Sequence, residues 1–383
     1  MTIDNKHSMN DTVMMVAGEA SGDLHGSGLI RELKGKRPTL RLFGIGGNKM
    51  QARGMELIYH INEMSVLGLW DVVKRFRFFK RVYRNLVDRM DSEKPRVLVL
   101  IDYPGLNLKL AKAAHQRGIK VLYYIAPQVW AWGAQRIKQL ALTVDKMAVI
   151  LPFEEKMYRD AGVEATFVGH PLLEILETKL SKKEFCAQHR LNPNQKTIGL
   201  LAGSRRLEVS RLLPTMLETV RLLKNKYPAI QIIASKAEPV PLDIYQGILA
   251  DSADIKLVEH DTYEIMKYSD LLMVASGTAT LEAALFETPL IVVYKVDAFS
   301  YVIGKQLVKI DTIGLVNVIA EEKIVPEFIQ HKFQPKKLLP EIEELLFNQD
   351  RKQKMVKKLS VIKQKLGQRG ASKRAAQMVL ELL

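Results

Sequence analysis

The chain has 383 residues, 47% of them hydrophobic and 26% charged, a composition typical of globular proteins and a length that favours two domains. Its formal net charge of +15 favours an anionic partner, such as nucleic acid, phospholipid headgroups or a phosphorylated substrate. A single cysteine, Cys186, excludes an internal disulfide and fits a reducing cytoplasm, and no apolar run is long enough to span a membrane.

Apolar runs alternate with helical stretches along the whole chain, after a start that lacks the features of a secretory signal. The predicted strands of the first half are TVMMVAG, RLFGIGG, PRVLVLIDYP, KVLYYIAP and KMAVILPF. Those of the second half are KTIGLLAGS, IQIIASKA, IKLVEH, LLMVASGT and LIVVYKV. Continuous apolar strands separated by helices are typical of parallel sheets covered on both faces. The sequence therefore predicts an α/β protein with two Rossmann-like domains facing a central cleft.

The predicted domain boundary follows FVGHPLLEIL, near residue 173, where a new series of helices and strands begins. We expect a first domain over residues 1–173 and a second over residues 174–345. Residues 346–383 are predicted to form basic helices that pack on the first domain, on a partner subunit or against lipid. Ligands of such domains bind at the carboxyl ends of the strands, which is where the polar loops of this sequence fall.

The loop after the first predicted strand, GEASGDLHG, carries Glu19, Ser21 and Asp23 between glycines. Carboxylates stand where a dinucleotide fingerprint would offer only backbone N–H groups, so this loop is not a pyrophosphate site. We predict that it contacts an acceptor or a sugar, because carboxylates suit the recognition of hydroxyl and amine groups. The alternative is that Ser21 or Asp23 caps a helix.

The segment from Met64 to Met90 interleaves aromatic and basic side chains. This mixture is typical of a helix that lies in a membrane interface, held by apolar burial and by anionic headgroups. A core helix with a solvated basic face is the alternative, and no nucleic-acid-binding motif accompanies the patch. The predicted membrane-facing residues are Val66, Leu69, Trp70, Phe76, Arg77, Phe78, Phe79, Lys80 and Arg81.

Asp102 ends the apolar strand RVLVLID, and Pro104 and Gly105 then break the chain. A partly desolvated carboxylate at this point can take a proton from an attacking hydroxyl group, so Asp102 is a candidate general base. Capping of the following helix, or binding of loop amides, is an equal alternative. His170, near the predicted domain boundary, is assigned to the acceptor site, with a packing role as its alternative.

Two glycine turns in the second half each join an apolar strand to a helix. In the first, Gly203, Ser204 and Arg205 combine a tight turn, free helix N–H groups and a guanidinium that can bind phosphate with two hydrogen bonds. In the second, Ser276, Gly277 and Thr278 precede a helix that carries Glu282, a carboxylate suited to ribose hydroxyls. Both patterns also fit ordinary strand-to-helix loops. Together they favour a nucleotide diphosphate site.

With these residues identified, the sequence resembles the lipid-A-disaccharide synthases, glycosyltransferases of the GT-B fold. The resemblance spans almost the whole chain, in order, and rests on VAGEASGDLHG, GIGGNKM, SVLGLWDVV, IDYPGLN, APQVWAWG, LPFE, FVGHP, GSRRLEV, ASGTATLE and the pair Val316–Asn317. It implies the transfer of diacylglucosamine from UDP to diacylglucosamine 1-phosphate, giving a β-1,6-linked lipid A disaccharide phosphate. It also implies a cytoplasmic enzyme that is peripherally associated with the inner membrane and acts at its inner leaflet.

The resemblance also assigns roles to single residues. Asp102 matches the essential aspartate, and Arg205, Glu282 and Asn317 match contacts to the uridine diphosphate. Gly105 stands where an acidic residue can follow Pro104, which places more weight on Asp102 and leaves Glu19 as the other candidate base. We expect no metal and no cofactor, since no ligand spacing supports one, and we expect no nucleic-acid partner; a homo-oligomer is left open. The rival interpretations are a UDP-N-acetylglucosamine 2-epimerase, another GT-B transferase, or a basic binding protein without turnover.

Overall fold

A computed structural model describes residues 11–64, 76–127, 135–250, 252, 254–296 and 312–383. The chain divides into two compact units, each with one parallel β-sheet. Unit 1 comprises Met1–Glu174 and Leu366–Leu383, and unit 2 comprises Ile175–Lys365. The predicted α/β class with two Rossmann-like domains is confirmed. The predicted C-terminal segment 346–383 is divided between the units, because only its last 18 residues belong to unit 1.

The strands are β1 Thr12–Ala17, β2 Arg41–Gly46, β3 Glu56–His60, β4 Val97–Ile101, β5 Lys120–Tyr124, β6 Lys146–Val149, β7 Ala165–Phe167, β8 Thr197–Leu201, β9 Gln231–Lys236, β10 Lys256–Glu259, β11 Leu271–Ala275, β12 Leu290–Tyr294 and β13 Glu327–Ile329. The helices of unit 1 are α1 Ala20–Lys36, α2 Asn48–Ala52, α3 Ile61–Met64, α4 Phe76–Glu93, α5 Pro104–His115, α6 Gln135–Thr143 and α7 Pro152–Asp160, followed by α8 Leu172–Ile175 at the boundary. The remaining helices are α9 Lys182–Gln188, α10 Arg206–Lys226, α11 Leu242–Leu249, α12 Thr262–Tyr268, α13 Thr278–Leu285, α14 Leu315–Ala320, α15 Pro335–Phe347, α16 Gln349–Lys365 and, in unit 1, α17 Ala371–Leu382.

The unit 1 sheet has the strand order β3-β2-β1-β4-β5-β6-β7, with all strands parallel. Its central strands β1 and β4 are buried at every position and apolar except for Thr12, because both faces of a parallel sheet are covered. Alternate residues enter two cores: Met14 and Val16 pack with the buried side of α4, while Met15 and Ala17 pack with α1 and α17. The C-terminal helix therefore completes one layer of unit 1.

The unit 2 sheet has the order β10-β9-β8-β11-β12-β13, again parallel throughout. In each sheet the order changes direction once, between β1 and β4 in unit 1 and between β8 and β11 in unit 2. Loops that leave neighbouring strands toward opposite faces open a crevice at such a point, and ligands of these folds bind there. These two points fix where each unit can hold a substrate.

Candidate functional site

Two of the predicted carboxylates meet at the change of strand order in unit 1. Strands β1 and β4 pair with Ala17 opposite Ile101, so the residues that follow them emerge at the same edge of the sheet. Glu19 follows β1 and Asp102 follows β4. The two side chains are close enough for the charge of Glu19 to act on the carboxyl group of Asp102. This edge is therefore acidic at the position expected for a ligand.

The backbone of Asp102 is held in an unusual conformation. Asp102 and Tyr103 both have positive φ angles, of 47° and 48°, which is uncommon for residues other than glycine. Three hydrogen bonds fix the main chain here: Asp102 N–H donates to the carbonyl of Tyr124 at 3.2 Å, and the Asp102 carbonyl accepts from Asn107 Nδ2 and the Tyr123 hydroxyl, both at 2.6 Å. Strained backbone held this firmly is a feature of functional sites.

The carboxyl group of Asp102 has the electrostatic properties of a proton acceptor. Burial and, to a smaller extent, the negative charge of Glu19 raise its pKa, a hydrogen bond from the backbone N–H of Tyr103 lowers it, and the net pKa is about 6. The alternative that Asp102 caps the next helix is wrong, because Tyr103 is the N-cap of α5 and no side chain caps that helix. A carboxyl group with this pKa can gain and lose a proton near neutral pH.

Glycine at position 18 is required by the packing of Tyr103. A Cβ atom at Gly18 would lie 2.2 Å from the ring of Tyr103, far closer than any real contact. Beyond Gly18, Glu19 is the exposed N-cap of α1 and Ser21 is exposed in its first turn. The structure thus brings Glu19, Ser21 and Asp102 to one edge, whereas Asp23 points elsewhere.

Asp23 is a structural residue, which corrects the predicted direct contact with an acceptor or sugar. Its side chain is buried, with 5% exposed, and accepts hydrogen bonds from the backbone N–H groups of Gly47, Lys49 and Met50 at 2.8–3.1 Å. These are the first N–H groups of α2, so Asp23 on α1 caps a different helix. The contact ties the first loop to the glycine-rich exit of β2.

His170 is also buried, in a setting that favours its predicted packing role. The ring Nδ1 of His170 accepts a hydrogen bond from the backbone N–H of Leu172 at 3.2 Å, and the backbone N–H of His170 donates to the carbonyl of Leu366 at 2.9 Å. Burial and, to a smaller extent, the neighbouring His25 together lower the pKa of His170 to about 3. The ring is therefore neutral at physiological pH, and it lies where the returning chain joins unit 1. A direct sugar contact by His170 has no support from this geometry.

The first glycine turn of unit 2 contains an ion pair that the sequence did not indicate. Gly203 has a φ of 108°, and Arg205 is the N-cap of α10. Glu208, in the first turn of that helix, accepts from Ser204 N–H at 3.0 Å and lies 3.5 Å from Nη1 of Arg205. One backbone N–H expected to bind phosphate is thus used by Glu208. The side chain of Arg205 is 64% exposed at the edge of the sheet.

The second glycine turn leaves its helix start open. Gly277 is the N-cap of α13, and its helix start has no side-chain cap. The hydroxyl of Ser276 donates to the carbonyl of Ile313 at 2.9 Å instead. Gly277 and Thr278 are exposed, and a Cβ atom at Gly277 would meet nothing within 4 Å. An uncapped helix start of this kind favours a bound anion.

Glu282, one turn into α13, is partly buried and has a perturbed acidity. Burial raises the pKa of its carboxyl group to about 7. Its charge in turn raises the pKa of Tyr263 on α12, so these two side chains are neighbours. A carboxyl group in this position can accept hydrogen bonds from paired hydroxyl groups. The two turns and Glu282 all belong to the β8–β11 region of unit 2.

Asn317 is a structural residue, which corrects its predicted contact with the nucleotide. Its side chain is 1% exposed, and its amide bonds both the N–H and the carbonyl of Val325 at 2.9 Å. The same Nδ2 donates to Glu327 at 2.8 Å, and Glu327 also accepts from the N–H groups of Ile313 and Gly314. Glu327, which the sequence analysis missed, thus holds the loop to which Ser276 is bonded.

The predicted membrane segment is only partly described, because Val66, Leu69 and Trp70 lie outside the described residues. On α4, Val82, Leu86 and Met90 are buried in the core, and Phe78 and Phe79 are half-buried against it. The two phenylalanines therefore serve mainly in packing, which corrects their predicted exposure. The opposite face is strongly basic and lines a shallow pocket formed by Arg77, Lys80, Arg81, Arg84, Asn85 and Asp88. Phe76 is 62% exposed beside it.

None of the described helices is long and apolar enough to cross a membrane. Among the same residues there is no group of three or more His, Cys, Asp or Glu side chains placed to hold a metal ion.

Solved structures with the same fold include sugar-nucleotide enzymes. The UDP-GlcNAc 2-epimerase from Neisseria meningitidis bound to UDP-GlcNAc matches with a TM-score of 0.68 at 16% identity, covering 97% of this chain and all of that one. A glycosyltransferase from Rickettsia africae matches with a TM-score of 0.58 at 10% identity, covering 97% of both. At such identities the likeness establishes the fold alone, and the predicted GT-B architecture is confirmed.

Sequence comparison is more specific. A family model for lipid-A-disaccharide synthetase matches residues 13–382. The lipid-A-disaccharide synthase of Geobacter metallireducens is 42% identical over 98% of both chains, and that of Syntrophus aciditrophicus is 43% identical over 97% of both. That of Coxiella burnetii strain Dugway is 37% identical, over 98% of this chain and 99% of its own. Asp102 and Arg205 lie at the carboxyl edges of the two parallel sheets. The family model and the identity to these relatives show that this chain belongs to the lipid-A-disaccharide synthase family.

Proposed function

We propose that this protein transfers a diacylated glucosamine from UDP to the 6-hydroxyl of diacylglucosamine 1-phosphate, releasing UDP and a β-1,6-linked disaccharide phosphate. The observation that carries the proposal is Asp102, a carboxyl group with a pKa of about 6 on a strained turn at the ligand edge of unit 1. A general base must accept a proton near the working pH, and a pKa of about 6 suits this role.

In the proposed reaction Asp102 removes the proton of the acceptor 6-hydroxyl as its oxygen attacks the anomeric carbon. The new O6–C1 bond forms as the bond from C1 to the diphosphate oxygen breaks, and the electron pair leaves with UDP. Attack from the opposite face inverts the configuration. Glu19 is the alternative base, and its negative charge adds to the effect of burial in raising the pKa of Asp102.

Unit 2 is proposed to hold the UDP. Arg205 supplies positive charge to the diphosphate as it leaves, and the open start of α13 at Gly277 supplies N–H groups. Glu282 is assigned to the ribose hydroxyls. This arrangement provides charge stabilisation from protein groups, so we propose that no metal or other cofactor takes part.

The basic face of α4 is proposed to hold the enzyme against the inner leaflet, since both substrates carry acyl chains. Arg77, Lys80 and Arg81 are exposed on this face and would contact anionic headgroups. The 2-epimerase alternative is not favoured, because its likeness to this chain is one of fold at 16% identity. The synthases match at about 40% over nearly the whole chain.

The test is UDP release by the purified full chain. We expect release with UDP-diacylglucosamine as donor and diacylglucosamine 1-phosphate as acceptor, and a much lower rate with the deacylated acceptor. Equal rates with both acceptors would favour a different transferase. Conversion of UDP-N-acetylglucosamine without an acceptor would favour the epimerase.

A further inference from the structure

The carboxylate of Glu208 lies beside the cation that is assigned to the leaving diphosphate. It is at the third position of α10, where a glutamate commonly reaches back to the backbone at the helix start. Here it bonds Ser204 N–H at 3.0 Å, one residue before the N-cap, and its other oxygen lies 3.5 Å from Arg205. One side chain thus contacts both the turn and the guanidinium.

Gly203 is what allows this contact. A Cβ atom at position 203 would lie 2.4 Å from Oε2 of Glu208 and 2.7 Å from its Cβ, so any larger residue would displace the carboxylate. The φ of Gly203, 108°, is also one that side-chain-bearing residues rarely adopt. The Gly-Ser-Arg turn therefore has a shape that accommodates Glu208.

The exposure of the two partners is unequal. Glu208 is 22% exposed, whereas Arg205 is 64% exposed, so the carboxylate is the fixed partner and the guanidinium extends outward from it. Tyr294 at the end of β12 is close to the same group: burial is the main cause of its raised pKa, the charge of Glu208 raises the pKa further, and the charges of Arg205 and Arg211 lower it. The carboxylate thus stands among cations at the carboxyl edge of the sheet.

We propose that Glu208 is a positioning residue, which holds the Gly203–Arg205 turn and directs the Arg205 guanidinium toward the diphosphate of the bound nucleotide. This inference rests on the proposed UDP site. In this arrangement the side chain of Arg205 binds the diphosphate, and the N–H of Ser204 does not. Glu208 itself does not touch the ligand.

The test is a double-mutant cycle on UDP affinity, measured by titration calorimetry with the full chain. We expect Glu208→Ala to weaken UDP binding roughly 10-fold, because a displaced guanidinium loses its geometry. In an Arg205→Ala background the same change should have almost no effect, since the group it positions is gone. Glu208→Gln keeps an acceptor for Ser204 N–H and should fall between wild type and Glu208→Ala.

The control is Glu218→Ala, which removes an exposed carboxylate from the same helix and should leave UDP affinity unchanged. Additive losses in the cycle would overturn the inference, as they would show a general structural effect. Tighter UDP binding by Glu208→Ala would also overturn it, because the carboxylate would then compete with the diphosphate. If wild-type protein binds no UDP, both proposals fail; normal wild-type binding with additive losses removes only the role of Glu208.

Discussion

At the scale of single residues, substitutions of the two carboxyl groups, Asp102 and Glu19, should affect turnover in different ways. If Asp102 is the base, Asp102→Asn should lower kcat by roughly 10²- to 10⁴-fold, the usual contribution of general base catalysis. In the wild type, kcat/KM should fall as the pH drops below about 6, because a protonated Asp102 cannot accept another proton. The pH dependence of UDP release measures both effects.

Glu19→Gln is the matched comparison. Removing the neighbouring negative charge lowers the pKa of Asp102, so the acid limb of kcat/KM should move to lower pH while most of the turnover remains. The opposite pattern, with an inactive Glu19→Gln and an active Asp102→Asn, would identify Glu19 as the base.

A second prediction at this scale concerns Gly18, the residue before Glu19. Gly18→Ala should push the ring of Tyr103 away from α1 and disturb the strained turn at Asp102, because the new Cβ would lie 2.2 Å from that ring. We expect a loss of about 1–3 kcal/mol in the free energy of unfolding and a lower kcat. Denaturant unfolding and the UDP-release assay measure the two effects.

Gly35→Ala, at the other end of α1, is the control. A Cβ atom there meets nothing within 4 Å, and alanine is a better helix former than glycine. That variant should be more stable by about 0.5–1 kcal/mol, with unchanged activity. If Gly18→Ala behaved like Gly35→Ala, the packing of Tyr103 would have no part in holding the turn.

The location of a side chain in the fold could be predicted from sequence where its position along the chain was sufficient to fix it. The position of Asp102 at the edge of the sheet could be predicted because it directly follows an apolar strand, and its role as the base stays a prediction. Asp23 and Asn317 were assigned wrongly because their partners are remote: Asp23 caps a helix 24–27 residues away, and Asn317 bonds a loop 8–10 residues on. No local pattern distinguishes such a buried polar side chain from one that faces a ligand.

At the scale of elements, α4 combines a core face with a basic face. The proposed membrane contact is best tested on the basic face, because serine at the half-buried Phe78 and Phe79 would also damage the core. Changing Arg77, Lys80 and Arg81 together to glutamine should weaken binding to anionic vesicles by about 3 kcal/mol, or roughly 10²-fold. Vesicle sedimentation measures this, and UDP affinity should not change.

A matched triple variant removes the same charge elsewhere on unit 1. Arg53, Lys109 and Lys112 are all exposed, and their change to glutamine alters the net charge equally. If that variant lost as much vesicle binding, the effect would come from the overall charge of +15 and not from α4.

The ten strands predicted from apolar runs are all present, and the three that were missed lie at sheet edges. β3, β7 and β13 have at most one fully buried residue each, so their sequences lack the continuous apolar signal of the central strands. Edge strands have one neighbour instead of two, and their sequences are correspondingly less constrained.

At the scale of the whole molecule, the chain leaves unit 1 at Glu174 and returns to it at Leu366. The return is held by hydrogen bonds from Gly370 and Ser372 N–H to Glu174, and from Arg374 Nε to the carbonyl of Val168. The sequence predicted basic C-terminal helices but could not predict that α16 and α17 belong to different units. Both are amphipathic and basic, and only their tertiary partners differ.

This return makes the stability of unit 1 depend on the last helix. Ala375 on α17 is fully buried against the sheet, so Ala375→Asp places an unpaired charge in the core and should cost several kcal/mol. Hydrogen exchange of the backbone amides of β1 and β4, which are buried in unit 1, follows the unfolding of this unit with increasing denaturant. We expect the denaturant midpoint of that transition to fall sharply.

Lys373→Asp introduces the same side chain on the exposed face of the same helix and should leave the midpoint nearly unchanged. Because the proposed UDP site belongs to unit 2, calorimetry should still detect nucleotide binding by the Ala375→Asp protein below its new midpoint. Equal midpoints for the two variants would mean that α17 adds nothing to the core of unit 1. Loss of UDP binding together with the unfolding transition of unit 1 would instead show that unit 2 requires a folded unit 1 in order to bind its nucleotide.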